Sequence, residues 1–201
     1  MTLQVETSST DLAQALASAH LDAAIIAMSE DQEVPLAKHL AHRVLLPWVP
    51  VFVALAADHP LAAAPEIDMA DLAGEAWIGP PGPEDGSLAS LRAAADRAGF
   101  RPRIRFEFPH GGGRPLIAAG QAVQLCEPTA PETTGLAVRP LKDAPMRMRI
   151  VLAWHRERMA AEQVQVIHRE AAAAYAQHAM SSPVFRRWCR GRRGFHLPGV
   201  P

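Results

Sequence analysis

The sequence is poor in cysteine and lysine, and it contains no long apolar run. Its two cysteines, Cys126 and Cys189, lie too far apart in the chain to indicate a disulfide framework or a zinc knuckle. No apolar stretch approaches the roughly 20 residues that span a bilayer, and the longest, 49–57, indicates a buried strand. The first residues have no basic or long apolar region. We therefore expect no secretory signal, no membrane partner and a cytoplasmic location.

The composition that remains suits a folded domain. The 201 residues are 49% hydrophobic and 20% charged, which is enough for a core and for a charged surface. This length allows one domain or two small lobes. The apolar content excludes disorder as the main state.

The charge of the chain is uneven. The net charge is −1, but residues 181–201 contain five arginines and no acid, so the rest of the chain sums to −6. Such a basic tail either contacts nucleic acid or an acidic partner, or it is simply solvated. The solvated tail is the favoured interpretation, with at most weak, salt-sensitive, non-specific binding of nucleic acid. The arginines are Arg186, Arg187, Arg190, Arg192 and Arg193.

The first 27 residues predict a strand, a helix and a second strand. Residues 2–6 alternate polar and apolar, as in a short strand. Ser8 followed by Asp11 resembles a capping box, and apolar residues then recur at helical spacing up to Ala19. The unbroken apolar run 21–27 indicates a buried strand. Together they predict one parallel βαβ unit.

Strands and helices continue to alternate along the chain, which predicts an α/β fold with mostly parallel sheets. Residues 28–42 and 79–83 are predicted as loops. Strands are predicted at 49–55, from 77, and at 103–108, 122–126, 136–138 and 149–154, and helices at 68–73, 88–98, 116–119 and across 164–175.

Ligands of such sheets bind beyond the carboxyl ends of the strands. The loops that follow strands here are 7–10, 79–82 and 127–129. Ser8, Ser9 and Thr10 stand at a helix start, where backbone N–H groups attract an anion. These hydroxyls can equally serve only as helix caps, and the two roles are compatible.

Catalytic and metal motifs are incomplete. The run His110-Gly111-Gly112-Gly113 is similar to an esterase oxyanion loop, but no G-x-S-x-G nucleophile accompanies it, so a flexible connection is favoured. His39 and His42 have helical spacing, but nothing in the sequence completes a metal site. No acid/base pair is oriented by its neighbours. We therefore expect neither an enzyme nor a bound cofactor.

One ordered set of motifs is more specific than any of these. Over residues 3–154 the sequence resembles the effector-binding domain of LysR-type transcriptional regulators. The segments that carry the resemblance are Leu21-Asp22-Ala23-Ala24-Ile25, Val51-Phe52-Val53-Ala54-Leu55, Asp58-His59-Pro60-Leu61, Asp71-Leu72-Ala73-Gly74 with Trp77-Ile78, Ala98-Gly99-Phe100, Leu116-Ile117-Ala118-Ala119-Gly120, Val138-Arg139-Pro140-Leu141 and Leu152-Ala153-Trp154.

This resemblance implies a type 2 periplasmic-binding-protein-like fold: two Rossmann-like lobes joined by crossing strands. Lobe one would comprise residues 1–56 and 145–180, and lobe two residues 57–144, with 181–201 as the basic tail. The cleft between the lobes would bind a small effector, such as an organic acid or an aromatic metabolite.

The ligand positions implied by the resemblance lie in three places. The first is Ser8, with Ser9 beside it, next to Thr10 of the helix start described above. The second is Gly79-Pro80-Pro81, which lacks the hydroxyls that the family often has there. The third is Cys126-Glu127-Pro128, where Glu127 would favour a cationic or hydroxylated ligand if it faced the cleft.

The sequence also departs from the family pattern. By the resemblance, we expect the winged helix-turn-helix and also the first strand and helix of lobe one to be missing from this chain. DNA would then be contacted only through a domain outside this chain, and a full-length protein would be a homo-oligomer. A freestanding solute-binding protein of the same fold is the alternative.

Overall fold

The structure is a computed structural model that describes residues 8–30, 34–81, 86–108 and 112–192, which form two β-sheets with helices packed on them. The helices are α1 (Ser9–Ala17), α2 (Ser87–Arg97), α3 (Arg114–Ala118), α4 (Ala161–Ser181) and α5 (Pro183–Gly191). The strands are β1 (Ala23–Ser29), β2 (Leu40–Pro50), β3 (Phe52–Ala56), β4 (Ala76–Gly79), β5 (Arg103–Glu107), β6 (Val123–Cys126), β7 (Leu136–Pro140) and β8 (Arg147–His155). Pro60–Ala63 and Met69–Leu72 form 3₁₀ turns.

The smaller sheet has the strand order β1-β8-β2. Alternate residues of β8 point to opposite faces, and both faces are covered. Val151 and Ala153 pack with α1 through Leu16. Ile150 belongs to a second cluster that includes Ala171 and Tyr175 of α4. The smaller sheet is therefore sandwiched between α1 and α4.

The larger sheet has the order β5-β4-β6-β3-β7. Its main core is built around the fully buried side chains of Trp77, Val53 and Leu55, with Leu91 of α2 packed among them. A second cluster, with Ile78 and Ile117, carries α3. The two-lobed α/β architecture predicted from the sequence is thus present.

The prediction of mostly parallel sheets is wrong. Among the strands that the structure describes, only the pairs β4–β5 and β4–β6 are parallel, and the pairs β1–β8, β2–β8, β3–β6 and β3–β7 are antiparallel. The cause is the way in which the chain moves between the sheets. β3 and β8 are the strands that enter a sheet from the other lobe, and each runs against its neighbours.

The predicted loop 28–42 and the predicted single strand 49–55 are also corrected. The loop gives way to β2 at Leu40, and the chain then forms two strands, β2 and β3, separated by Val51. β2 has two register shifts against β8, between Val44 and Leu46 and between Leu46 and Val49. These bulges disrupt the period-two burial pattern by which a strand is recognised in a sequence.

Two chain segments cross between the sheets side by side. One passes through Val51 and the other through Met146, and the backbone N–H of Val51 donates to the carbonyl of Met146 at 3.2 Å. β3, at 52–56, pairs within the larger sheet, on the far side of this crossing from β2. The lobe boundaries predicted from the sequence remain predictions.

Several local predictions are confirmed. Ser8 caps α1, and its hydroxyl accepts from the N–H of Asp11 at 3.2 Å. Gly99 follows α2 with φ of +85°, the left-handed conformation that glycine favours after a helix. Asp68 caps its segment, although that segment is a 3₁₀ turn and not an α-helix. The predicted strand 2–6 lies outside the described residues.

The predicted basic tail begins with a packed helix. Ser182 caps α5, and Pro183 occupies its first turn. Phe185 and Trp188 of α5 are buried against Phe52 of β3. A solvated tail is therefore wrong for residues 183–191. Within the described residues, no helix is both long enough and apolar enough to cross a membrane.

Candidate functional site

A cavity of about 600 Å³ lies between the two sheets. Both lobes line it, and so do the two crossing segments through Val51 and Met146. Most of its wall is apolar, contributed among others by Leu12, Ile25, Ala54, Ile117, Val138 and Ile150. Pockets for small molecules typically have this volume and this mainly apolar lining with a few polar groups.

The start of α1 forms one corner of the cavity. Ser9 lines it, and the Ser9 hydroxyl donates to the carbonyl of Ala27 on β1 at 2.7 Å. Ser8 and Thr10, the other two predicted residues of this loop, are not among the lining residues. The hydroxyl of Ser8 is occupied as the helix cap. A ligand role for Ser8, Ser9 and Thr10 remains a prediction, and Ser9 is the one that faces the cavity.

The end of β4 and the residue after it lie beside the cavity. Gly79 and Pro80 line a separate space of about 20 Å³, which is large enough for about one water molecule. This space shares Ser87 and Gln124 with the large cavity, so the two are adjacent. Pro81 lines neither of them. The ligand role predicted for these three residues is a prediction still.

The end of β6 reaches the cavity through Cys126 and Glu127, both of which line it. Pro128 does not. It is buried, and its carbonyl accepts from the hydroxyl of Ser182 before α5, at 3.4 Å. Of these three consecutive residues, Cys126 and Glu127 belong to the cavity wall, and Pro128 belongs to the packing of α5.

The thiol of Cys126 lies in a strongly perturbed environment. Burial raises the pKa of Cys126 well above its ordinary value of 9.0, the negative charge of Glu127 raises it further, and Arg114 opposes both. The thiol is therefore protonated at neutral pH and is a weak nucleophile. Arg114 and Glu127 both lie close enough to this sulfur to act on it.

Sequence reasoning missed two arginines in the cavity wall, Arg114 and Arg147. Arg114 is the first residue of α3, and Arg147 is the first residue of β8. The guanidinium of Arg147 lies over the ring of Trp48, 4.9 Å from its centroid. In the described part of the chain, neither arginine has a carboxylate within ion-pair distance. No motif marks either of them, and only the fold brings them together.

Two further lining groups come from more distant helices. His178 is in the last turn of α4, and Ser90 is a buried residue of α2. The cavity thus receives polar side chains from elements of both lobes. A molecule bound there would contact both lobes at once.

The histidines of the suggested metal pair and the last glycine of the oxyanion-like run lie in or beside regular secondary structure. His39 precedes β2 and His42 lies within it, so they do not share a helical face. His39 instead packs its ring against His155, with centroids 5.0 Å apart. No group of three or more potential metal ligands occurs among the residues that the structure describes. Gly113 is buried at the start of α3 against Ile78, whereas His110 and Gly111 lie outside the described residues.

Comparisons with known proteins agree with this architecture. The family model described as the LysR substrate binding domain matches residues 1–176. The small neutral protease regulatory protein of Streptomyces coelicolor is 34% identical over 194 residues, covering 95% of this chain and 59% of the relative. The chain therefore spans little more than half the length of that relative.

Solved structures share the fold at low identity. The C-terminal domain of a probable LysR family transcriptional regulator from Rhodococcus has a TM-score of 0.62 and 23% identity, covering 81% of this chain and 79% of that one. The regulatory domain of Synechocystis CcmR, solved in complex with 2-PG, has a TM-score of 0.63 and 18% identity, covering 80% and 76%. The resemblance and the fold class stated from the sequence are confirmed. The chain belongs to the LysR substrate-binding domain family, the effector-binding domain of LysR-type regulators.

Proposed function

We propose that the cavity binds a small organic acid and that this binding is the sensory event of the domain. The observation that carries the proposal is the pair of arginines, Arg114 and Arg147, set in a mainly apolar wall without carboxylate partners among the described residues. A guanidinium presents its N–H donors in a planar fork that matches a carboxylate. The apolar wall suits the hydrocarbon or aromatic body of such an acid.

Arg147 is well suited to anchor the acid. Its guanidinium stacks on Trp48, which fixes the side chain without using its N–H donors. Arg147 also directly follows Met146, one of the two crossing residues. An acid held by Arg147 and by Arg114 of the other lobe would favour a closed arrangement of the lobes.

The effector is bound without being transformed in this proposal. The family is one of transcriptional regulators. The one thiol known to line the cavity, Cys126, is held protonated by burial and by Glu127. Hydrogen bonds and charge pairing are therefore the chemistry that the wall offers to a ligand.

We extend the proposal to the full-length protein by analogy with the family. A full-length protein would have a DNA-binding domain outside this chain, a homo-oligomeric assembly and a cytoplasmic location. The relative from Streptomyces coelicolor is named as a regulator of a small neutral protease. By analogy, the effector would adjust the binding of the regulator to DNA or its contacts on DNA.

The test is isothermal titration calorimetry of the chain with a panel of aliphatic and aromatic carboxylates. For any acid of the panel that binds, Arg114→Gln and Arg147→Gln should each weaken the binding. The expected loss is about 1.5–3 kcal/mol, roughly 10- to 100-fold in Kd. Arg101→Gln removes the same charge from an exposed residue outside the cavity wall and is the matched control. Binding that survives both cavity substitutions would contradict the proposal.

A further inference from the structure

We propose that the effector is a zwitterion, a small amino acid whose carboxylate lies against the cavity arginines and whose ammonium group lies against Glu127. This inference rests on the proposed function and adds the second charge of the ligand.

Glu127 directly follows β6, and its exposed side chain lines the cavity. Its Oε2 is held by its own loop, at 3.5 Å from the hydroxyl of Thr129, which itself lines the cavity. In the described segments, no lysine, arginine or histidine forms an ion pair with this carboxylate. Glu127 is therefore an acceptor that the cavity presents to a ligand.

Arg114 and Glu127 both lie near Cys126. Both line the same cavity as Cys126, and both charges act on its sulfur with opposite signs. No ion pair joins them, although opposite charges in one cavity attract each other. The cavity wall therefore offers a partner both to a positive and to a negative group of one small ligand.

A simple carboxylate would satisfy only half of this arrangement. Its negative charge would be favoured by Arg114 and Arg147 but opposed by Glu127 in the same wall. An α-amino acid carries its ammonium group next to its carboxylate, so both ends are paired at once. Its side chain would then lie along Leu12, Ile25 and Ile150, in a cavity that is larger than one amino acid.

A 2-hydroxy acid is the nearest competitor, because a hydroxyl can also donate to Glu127. The ammonium group is favoured since a hydrogen bond between two charged partners is shorter and stronger than one with a neutral donor. The affinity should therefore be highest for the amino acid, lower for the hydroxy acid and lowest for the deaminated acid. An amine without a carboxylate should bind weakly, because it offers no anionic partner to Arg114 and Arg147.

The experiment is calorimetric titration with two matched series that differ only at the second carbon. One comprises L-leucine, 2-hydroxy-4-methylpentanoate, 4-methylpentanoate and 3-methylbutylamine, and the other comprises L-phenylalanine, phenyllactate, 3-phenylpropionate and phenethylamine. In at least one series, the amino acid should bind about tenfold or more tightly than the deaminated acid, the ratio expected from one charge-assisted contact.

Substitution of Glu127 tests whether its carboxylate causes the preference for the amino acid. In Glu127→Gln the ratio of amino acid to deaminated acid should fall to about one, while the affinity for the deaminated acid stays equal or rises. Glu127→Lys should reverse the preference. Glu157→Gln, which removes an exposed carboxylate after β8 and outside the cavity wall, should leave the ratio unchanged.

The outcomes separate this inference from the proposed function. If deaminated acids bind as tightly as amino acids and depend on Arg114 or Arg147, the proposed function stands and the zwitterion is wrong. If Glu127→Gln weakens both ligands equally, Glu127 is structural and the inference is overturned. If no member of either series binds, the zwitterion is rejected, and the wider carboxylate panel decides the proposed function.

Discussion

The backbone N–H of Val51 donates to the carbonyl of Met146 at 3.2 Å, which joins the two segments by which the chain passes between its sheets. Both residues also line the cavity. The two segments that connect the lobes therefore also form part of the cavity wall. A change in this hydrogen bond should affect stability, and it should also affect the relative motion of the lobes.

Val51→Pro tests this hydrogen bond, because proline removes the N–H donor. It should lower the free energy of unfolding by about 1–3 kcal/mol more than Val51→Ala, which loses side-chain packing but keeps the donor. Urea denaturation followed by circular dichroism measures both variants. Equal stability of the two would mean that the hydrogen bond does not hold the crossing segments together.

Ser8→Ala distinguishes the two roles considered for Ser8. The hydroxyl caps α1 and does not line the cavity, so the variant should lose about 1 kcal/mol of stability with little change in ligand affinity. A thermal melt and a calorimetric titration of the same sample give the two readouts. If affinity falls while the melting temperature stays the same, Ser8 is a ligand contact and the capping account is incomplete.

Trp188→Ala tests whether α5 belongs to the fold. Trp188 is 5% exposed and stacks on Phe185, with ring centroids 5.8 Å apart. Its removal should cost about 3–5 kcal/mol, as is typical of a large aromatic side chain in a core. Arg187→Ala, on the exposed side of the same helix, is the control and should change stability by less than about 0.5 kcal/mol. Similar stability of both variants would restore the interpretation of a solvated tail.

The arginines of α5 should bind DNA weakly and only at low salt, because the rest of the chain opposes them with a charge of −6. Neutralising the exposed Arg187 and Arg190 together should reduce the slope of log affinity against log salt concentration by about two. Arg192→Gln is the matched control, since Arg192 pairs with Glu66 at 3.1 Å. Fluorescence anisotropy with a random duplex measures the slopes. Binding that persists at high salt would contradict the prediction.

The elements that the sequence predicts well are those with simple periodicity and clear ends. α2 has Leu91, Ala94 and Ala95 on its buried side and Gly99 just beyond its end. β2 could not be predicted, because its bulges at Val44–Leu46 and Leu46–Val49 remove the alternation of buried and exposed residues. Strand direction could not be predicted either, since a buried strand has the same apolar pattern whether its neighbours are parallel or antiparallel.

The residues of the candidate site can likewise be predicted only in part from the sequence. Ser9 and Glu127 follow from the rule that loops after strands meet at a ligand site, Cys126 follows from the family resemblance, and all three line the cavity. Arg114 and Arg147 do not follow from that rule. They stand at the starts of a helix and a strand, in segments that only the tertiary fold brings into one cavity.

The most direct test of the account is a crystal structure of the chain with the tightest-binding acid or amino acid from the panels above. We expect the ligand to lie between the two sheets, with its carboxylate within hydrogen-bonding distance of Arg147 or Arg114. A ligand bound outside this cavity, or inside it with its carboxylate touching neither arginine, would contradict the account.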